Sequence, residues 1–330
     1  MIVHSGMSPG QMTEIMVGLA AQLAFYQLDA QQTVEDRLTL FREEMLKTFA
    51  QPGRGNPEAF RDPDFQYMLN DAQIAYARSG DEVVKDTLVD IIARRSLETE
   101  RSRIAVTLND AATKVPLLTT NEFAELSLVY VLKHTQNYTV KNFLKLCEYL
   151  RSAVMPFVKD ISREDASYWH LEAQSCATID ITEVNIWHIF KQRYGGVLGR
   201  GFDRTQLESH LPDGQKNALD GFIIPCINDN TKLQPNATRR EVFHDVASGA
   251  GLTVAQLDNV WNLFEGTTPA QESEQISLFS THVPDIGLLF GLWQNTPLKN
   301  LKLNSVGIAI GHANAVRVTG FDAPLGVWIK

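Results

Sequence analysis

The sequence predicts a mainly α-helical protein: a long N-terminal helix, an α-helical bundle, then a C-terminal α+β domain with a small sheet. Three observations carry this expectation. Apolar or small residues recur at Met12, Met16, Leu19, Leu23, Tyr26, Ala30, Val34, Leu38, Phe41, Met45 and Phe49, a mean spacing of about 3.7 residues that only a helix gathers onto one face. Helix start and stop signals then follow at short intervals from Asp62 to Pro156, the pattern of antiparallel helices with short connections. Beyond residue 162, short alternating segments such as Ala177–Ile181 appear between further helices, which suits a little sheet.

Composition sets the class. Of 330 residues, 44% are hydrophobic and 21% charged, enough apolar side chains for a core and far from a disordered or collagen-like chain. The formal charge of −9 argues against a protein that coats nucleic acid. Cys147, Cys176 and Cys226 are odd in number, widely spaced and set among apolar residues, the pattern of buried reduced thiols and a reducing, cytoplasmic setting. The start of the chain lacks a basic stretch followed by an apolar run, so no secretory signal is expected. The apolar segments 123–132 and 286–293 fall short of the ~20 residues of a membrane helix, so no membrane insertion is expected.

In chain order, Ser8, Pro9 and Gln11 form a helix start. The stripe that follows runs to Phe49, roughly 57 Å if unbroken. Its spacing lies nearer an 11-residue repeat than a heptad and predicts a coiled-coil-like helix with little supercoil. The polar stretch Gln27–Thr33 leaves open one helix or two. Pro52, Gly53, Gly55 and Pro57 mark a linker. Asp62 and Pro63 start the next helix, Gly80 ends it, and Asp81 starts another, which closes in a mixed-charge stretch from Arg94 to Arg103 that reads as a solvated face. A helix at Ile104–Thr113, a capping box at Thr119 and Glu122 opening Phe123–His134, and a helix Val140–Val154 capped by Thr139 complete the bundle. Next come a helix from Ser162 and Asp165 to Gln174, a strand Ala177–Ile181, a helix Val184–Tyr194, and a strand or turn Phe222–Ile227. Asp229–Ala237 reads as a loop. Helices at Arg239–Val246, Thr253–Phe264 and Ile286–Trp293, a strand Leu298–Leu303, a helix from Ser305 and a strand Leu325–Ile329 finish the chain. The expected domains are 1–51, 52–161 and 162–330.

The segments DPDFQYMLNDAQIAYARSGDE at Asp62–Glu82, PLLTTNEFAELSLVYVL at Pro116–Leu132 and LNSVGIAIGHANAVRVTG at Leu303–Gly320 resemble an uncharacterised family of bacterial proteins named only from locus tags (LPO/Vpar type). The resemblance covers almost the whole chain and implies an architecture but no activity. The opening helix after SGMSP also resembles N-terminal segments of other bacterial proteins, some from phage-defence loci. It implies an accessory role there.

Candidate sites follow from the residues. The loop with Arg193, Gly196, Gly199, Arg200 and Arg204 is an anion-binding candidate, because glycine amides and arginine forks suit a phosphate. It matches no nucleotide-loop pattern and follows a helix, so helix termination by glycine is the competing reading. No two of the eight histidines stand three or four residues apart, and neither a metal site nor a cofactor is expected. His170 beside Glu172, with Glu164 and Asp165, is a weak acid/base grouping. Gly307 and Gly311, one turn apart, invite a close backbone approach. Next to them His312, Asn314 and Arg317 form a surface candidate, as do Tyr76, Arg78 and Asp81, where capping and packing compete.

Two functions follow as expectations. The first is a cytosolic oligomeric interaction or scaffold protein that self-associates through Met12, Met16, Leu19, Leu23 and Tyr26, with an unidentified protein partner. The alternative is a hydrolase or nucleotide-acting effector with its site in the α+β domain. No recognisable catalytic motif decides for an enzyme.

Overall fold

The computed structural model describes residues 9–329, the side chains of residues 9–13, 15 and 21 excepted. The chain divides into two compact units, with the break between Pro116 and Leu117. The expected boundaries at 51/52 and 161/162 therefore fall inside units. The N-terminal helix shares a core with the helices after it, and residues 117–161 share theirs with the C-terminal elements.

The first unit holds α1 (Pro9–Phe49), a 3-10 turn (Pro57–Arg61), α2 (Pro63–Ser79), α3 (Glu82–Leu97) and α4 (Arg103–Lys114). The Ser8 start signal lies outside the described residues. Helix α1 is one unbroken element of 41 residues, about 60 Å long at 1.5 Å per residue. No glycine or proline stands between Leu19 and Ala50. The polar stretch is carried by local bonds: Gln22 Nε2 to Tyr26 Oη at 2.6 Å, Thr33 Oγ1 to Asp29 O at 3.0 Å, and Gln32 Nε2 to Asp36 Oδ1 at 2.9 Å. Asp62 caps α2 by accepting the Asp64 N–H at 3.0 Å, and Pro63 fills the first helical position. Gly80, at φ 65°, ends α2 in the left-handed region that favours glycine. Asp81 caps α3 through Val83 and Val84. Phe41, Phe65, Tyr76, Leu88, Ile91, Ile92 and Leu108 fill the core between these helices.

The stretch from Arg94 to Arg103 is not wholly solvated. Arg95 is buried, and its guanidinium donates to Asp62 Oδ2 at 3.0 Å, Asp64 Oδ2 at 2.9 Å, Asn109 Oδ1 at 3.0 Å and Glu98 O at 3.1 Å. The planar fork can serve α2, α3 and α4 together, and linear charge alternation gives no hint of that.

The second unit contains α5 (Thr120–Val129) continued by a π turn (Tyr130–His134), α6 (Phe143–Tyr149) continued by a π turn (Leu150–Val154), α7 (Met155–Val158), α8 (Asp165–Ala173), β1 (Ala177–Ile179), α9 (Ile186–Tyr194), α10 (Arg204–Ser209), β2 (Ile223–Cys226), β3 (Asp229–Pro235), α11 (Arg240–Val246), α12 (Val254–Glu265), α13 (Glu272–Ser280), α14 (Ile286–Asn295), β4 (Leu301–Leu303) and α15 (Ser305–Thr319). β1 pairs antiparallel with β4, Ala177 opposite Leu303, and β2 pairs antiparallel with β3, Ile223 opposite Pro235. The mainly helical class with a small amount of sheet is thus what the chain adopts.

Several elements differ from expectation. Asp229–Pro235 is a strand, because its partner β2 supplies the ladder that a polar sequence does not advertise. Leu325–Val327 is a 3-10 turn instead of a strand, and Pro297–Lys299 is another, which leaves only Leu301–Leu303 extended. The cap of α6 is Asn142, which accepts the Lys145 N–H at 3.0 Å, while Thr139 Oγ1 donates to Asn137 Oδ1 at 2.7 Å. Helices α10 and α13 have no counterpart in the sequence reading.

Close packing joins α15 to α5 and to the segment just before β1. A β-carbon on Gly307 would lie 2.0 Å from Cys176 O, and one on Gly311 2.7 Å from Leu126 O. The close approach expected of this glycine pair is realised. Gly311→Val therefore forces backbone apart, and a loss of about 3 kcal/mol or more is expected; a urea midpoint unchanged from the parent would contradict this account of the interface.

Candidate functional site

The first half of α1 is bare. Every described side chain from Glu14 to Asp36 is exposed, whereas Phe41, Met45 and Thr48 are buried against the unit core. At about 100° per residue, Met16, Leu19, Leu23, Tyr26 and Val34 lie on the same helix face as Phe41 and Met45. One apolar face is thus covered in its second half and uncovered in its first. Met16, Leu19, Leu23 and Tyr26 are 63%, 48%, 56% and 53% exposed. The Met12 side chain lies outside the described residues. Glu14, Asp29, Glu35 and Asp36 fall on the opposite side, and no lysine or arginine occurs between Pro9 and Asp36. Arg37 donates to the carbonyls of Ala77 and Arg78 at 2.8 and 3.0 Å, pinning α1 to the C-terminal end of α2.

The arginines of the glycine loop have internal work. Arg193 donates to Leu132 O at 2.5 Å and Lys133 O at 2.7 Å, closing the end of the π turn. Arg200 pairs with Glu274, and Arg204 with Glu208 at 3.1 Å and Asp220 at 2.9 Å. Gly196 donates its N–H to Thr238 O, and a β-carbon there would lie 2.0 Å from Ala237 O; one on Gly199 would lie 2.7 Å from the Phe264 ring. Close packing, more than an anion, accounts for these two glycines.

The proposed surface residues separate. His312 and Asn314 are buried, because α15 is enclosed along most of its length. His312 Nε2 lies 2.8 Å from Ala323 O, and Asn314 Nδ2 donates to Ser127 Oγ at 2.7 Å. Arg317 is exposed and donates to Asn314 Oδ1 at 2.8 Å. Tyr76 is buried, its hydroxyl donating to Glu82 at 3.1 Å; Asp81 caps α3; Arg78 remains at the surface.

A polar seam that sequence reasoning missed lies between α5 and α8. Glu122 and Glu125 are buried, one turn apart on α5, and face Ser167 and His170, one turn apart on α8. His170 Nδ1 lies 2.5 Å from Glu122 Oε1, and its Nε2 lies 3.2 Å from Gln174 Nε2. This network places the ring proton on Nδ1. Ser167 Oγ is 2.9 and 3.0 Å from the two Glu125 oxygens, and the Ser162 N–H donates to Oε1 at 3.2 Å. Burial pushes the Glu125 carboxyl up to about 8, with the charge of Glu122 adding to the rise and the bonds from Ser167 and Ser162 opposing it. Glu172, the neighbour expected to act with His170, instead accepts the Ile179 N–H at 3.1 Å. The signal available in the sequence was a glutamate inside the apolar run Phe123–Leu132, a position that demands a partner. Chemically, a histidine oriented by a buried carboxylate can accept a proton at Nε2.

The three cysteines are buried and form no disulfide with one another. Among the described residues, no three His, Cys, Asp or Glu side chains gather as a metal cage, and no helix is long and apolar enough to cross a membrane. A family model matches residues 6–329; the family is uncharacterised, named from locus tags, and has no assigned function. No curated protein and no solved structure matches the chain.

Glu125 makes stability depend on pH. Its folded pKa lies above the unfolded value near 4.5, so the folded state holds a proton that the unfolded state has lost, and stability falls as pH rises from about 4.5 to about 8. Glu125→Gln keeps an acceptor and a neutral group, so it should gain on the parent across that window, by up to a few kcal/mol near pH 8. Melting temperatures of both proteins at pH 5 and pH 8 check this; a constant difference between them would refute the assignment.

Proposed function

The chain belongs to the family whose model spans residues 6–329, and from the bare apolar face of α1 we propose that it is an oligomeric interaction protein that self-associates through the first half of that helix. The single observation that carries this reading is the continuity of one face from buried Phe41 and Met45 to exposed Met16, Leu19, Leu23 and Tyr26. Helices in proteins owe most of their stability to packing, and no described side chain of this one from Glu14 to Asp36 is buried. A second copy suits the face better than an anionic membrane surface, which selects helices with lysine and arginine on the polar side; no lysine or arginine occurs between Pro9 and Asp36. Burying four half-exposed side chains from each copy contributes roughly 6–12 kcal/mol, against an association cost of about 4–15 kcal/mol. The balance fits a concentration-dependent oligomer.

The second reading, a hydrolase or nucleotide-acting effector, draws on the oriented His170; stabilisation of the full chain by a nucleotide or a divalent metal in a thermal-shift screen would support it.

Removing all of α1 is a poor test of self-association, since Phe41 and Met45 belong to the core. The double variant Leu19→Glu, Leu23→Glu leaves the core intact. Light scattering of the parent should report a mass above the 36.9 kDa of one chain that rises with concentration. The variant should be monomeric, with an unchanged melting temperature. A parent that stays monomeric to high protein concentration would end the proposal.

A further inference from the structure

We propose that the cleft between α9 and the end of α12 binds a small apolar organic acid, its acidic group held by Lys191. The cleft has a volume of about 620 Å³, within the usual range for small-molecule sites. One wall is a regular face: His188, Lys191 and Gln192 of α9 and Gly195, which caps its end, stand at i, i+3, i+4 and i+7. The floor is apolar, made of Leu198, Phe264 and Pro269.

Charge selects the ligand class. Glu265, on the opposite rim, is paired with Arg240 at 2.7 Å, an arginine that also holds Asp258 at 3.1 Å. Lys191 has no ion-pair partner among the described residues, and it is the one charged side chain lining the cleft left in that condition. His188 Nε2 lies 2.9 Å from Gln192 Nε2, which leaves the Nδ1–H of the ring as a second donor on the same wall.

Gly195 supplies the independent observation. It sits at φ −54°, ψ −28°, ordinary helical backbone, and a β-carbon placed on it meets nothing within 4 Å. Neither conformation nor packing calls for glycine there, and alanine, which can adopt this backbone, leaves the unfolded chain less entropy to lose. Its neighbours Gly196 and Gly199 are the opposite case, since each abuts other atoms directly. What glycine at 195 does accomplish is to keep the cleft wall open. The anion-binding role considered for the loop's arginines therefore passes to Lys191, one helix turn before the loop.

The test uses naphthalene-2-carboxylate and its uncharged twin 2-naphthalenemethanol, titrated by NMR into the full chain carrying Leu19→Glu and Leu23→Glu, so that the exposed stripe of α1 does not compete. The acid should bind about tenfold more tightly than the alcohol. Lys191→Gln should erase that preference and leave the alcohol unaffected. Gly195→Leu should abolish binding of both, and Gly195→Ala should raise the melting temperature slightly. Absence of binding at millimolar probe, equal affinity for acid and alcohol, or full binding by Gly195→Leu would each overturn the proposal. Should Gly195→Leu lower the melting temperature, the exposed Lys191→Gln variant alone decides.

Discussion

Gly311 allows α15 to lie with its backbone against that of Leu126 in α5, and Gly307 lets it lie against Cys176 just before β1; the enclosure of α5 follows from that packing. With α15 on one side and α7, α8 and β4 on others, every residue of α5 from Glu122 to Val129 is buried. A helix enclosed this way has no water to satisfy its polar side chains, and each must find a protein partner. Ser127 meets Asn314 from α15, and Asn314 is in turn held by Arg317. Glu122 closes its own capping box with the Thr119 N–H at 2.7 Å through one oxygen and meets His170 through the other. Glu125 rests on Ser167. The raised pKa of Glu125 is thus a consequence of helix packing, before any chemistry is asked of it.

The same enclosure explains where the basic residues go. At the end of α5 the π turn leaves carbonyls pointing into the protein, and Arg193 takes two of them. Lys133 donates to the carbonyls of Leu298, Lys299 and Leu301 at 2.9–3.0 Å and lies 5.1 Å from the Trp293 ring centre. Burial lowers its pKa to about 8, yet three acceptors match the three donors of an ammonium group. His134, half-buried beside these two cations, is driven down to about 4 by its partial burial and by their charges. Cations that look available for ligands in a linear reading are consumed by buried chain ends, where an unmet carbonyl would be costly.

Signals confined to one helical turn were legible. Asp62, Asp81, Thr119 and Thr253 cap the helices their spacing announces, and the 3.7-residue period of α1 describes a real face. Signals that depend on a distant partner were not. Arg95 looks like a surface charge until three helices converge on it, and His312 looks like a surface polar group until α5 covers it. The strand Asp229–Pro235 is polar in sequence, and the pairing with β2, with a bridge from Leu233 to Phe202, makes it extended. Glu125 was in plain view inside an apolar run; what could not be read was that Ser167, 42 residues on, would meet it.

The helix α1 joins these two kinds of information. Its periodicity is local and continues unbroken, but its environment changes at Arg37, where the guanidinium ties it to the end of α2. Before that point the apolar face has the same character and no cover. A free helix with a uniform apolar stripe has no preferred point of attachment, whereas this one is fixed to a folded unit over its last three turns. Whatever covers Met16, Leu19, Leu23 and Tyr26 therefore meets a stripe whose direction is set by the packing of Phe41 and Met45.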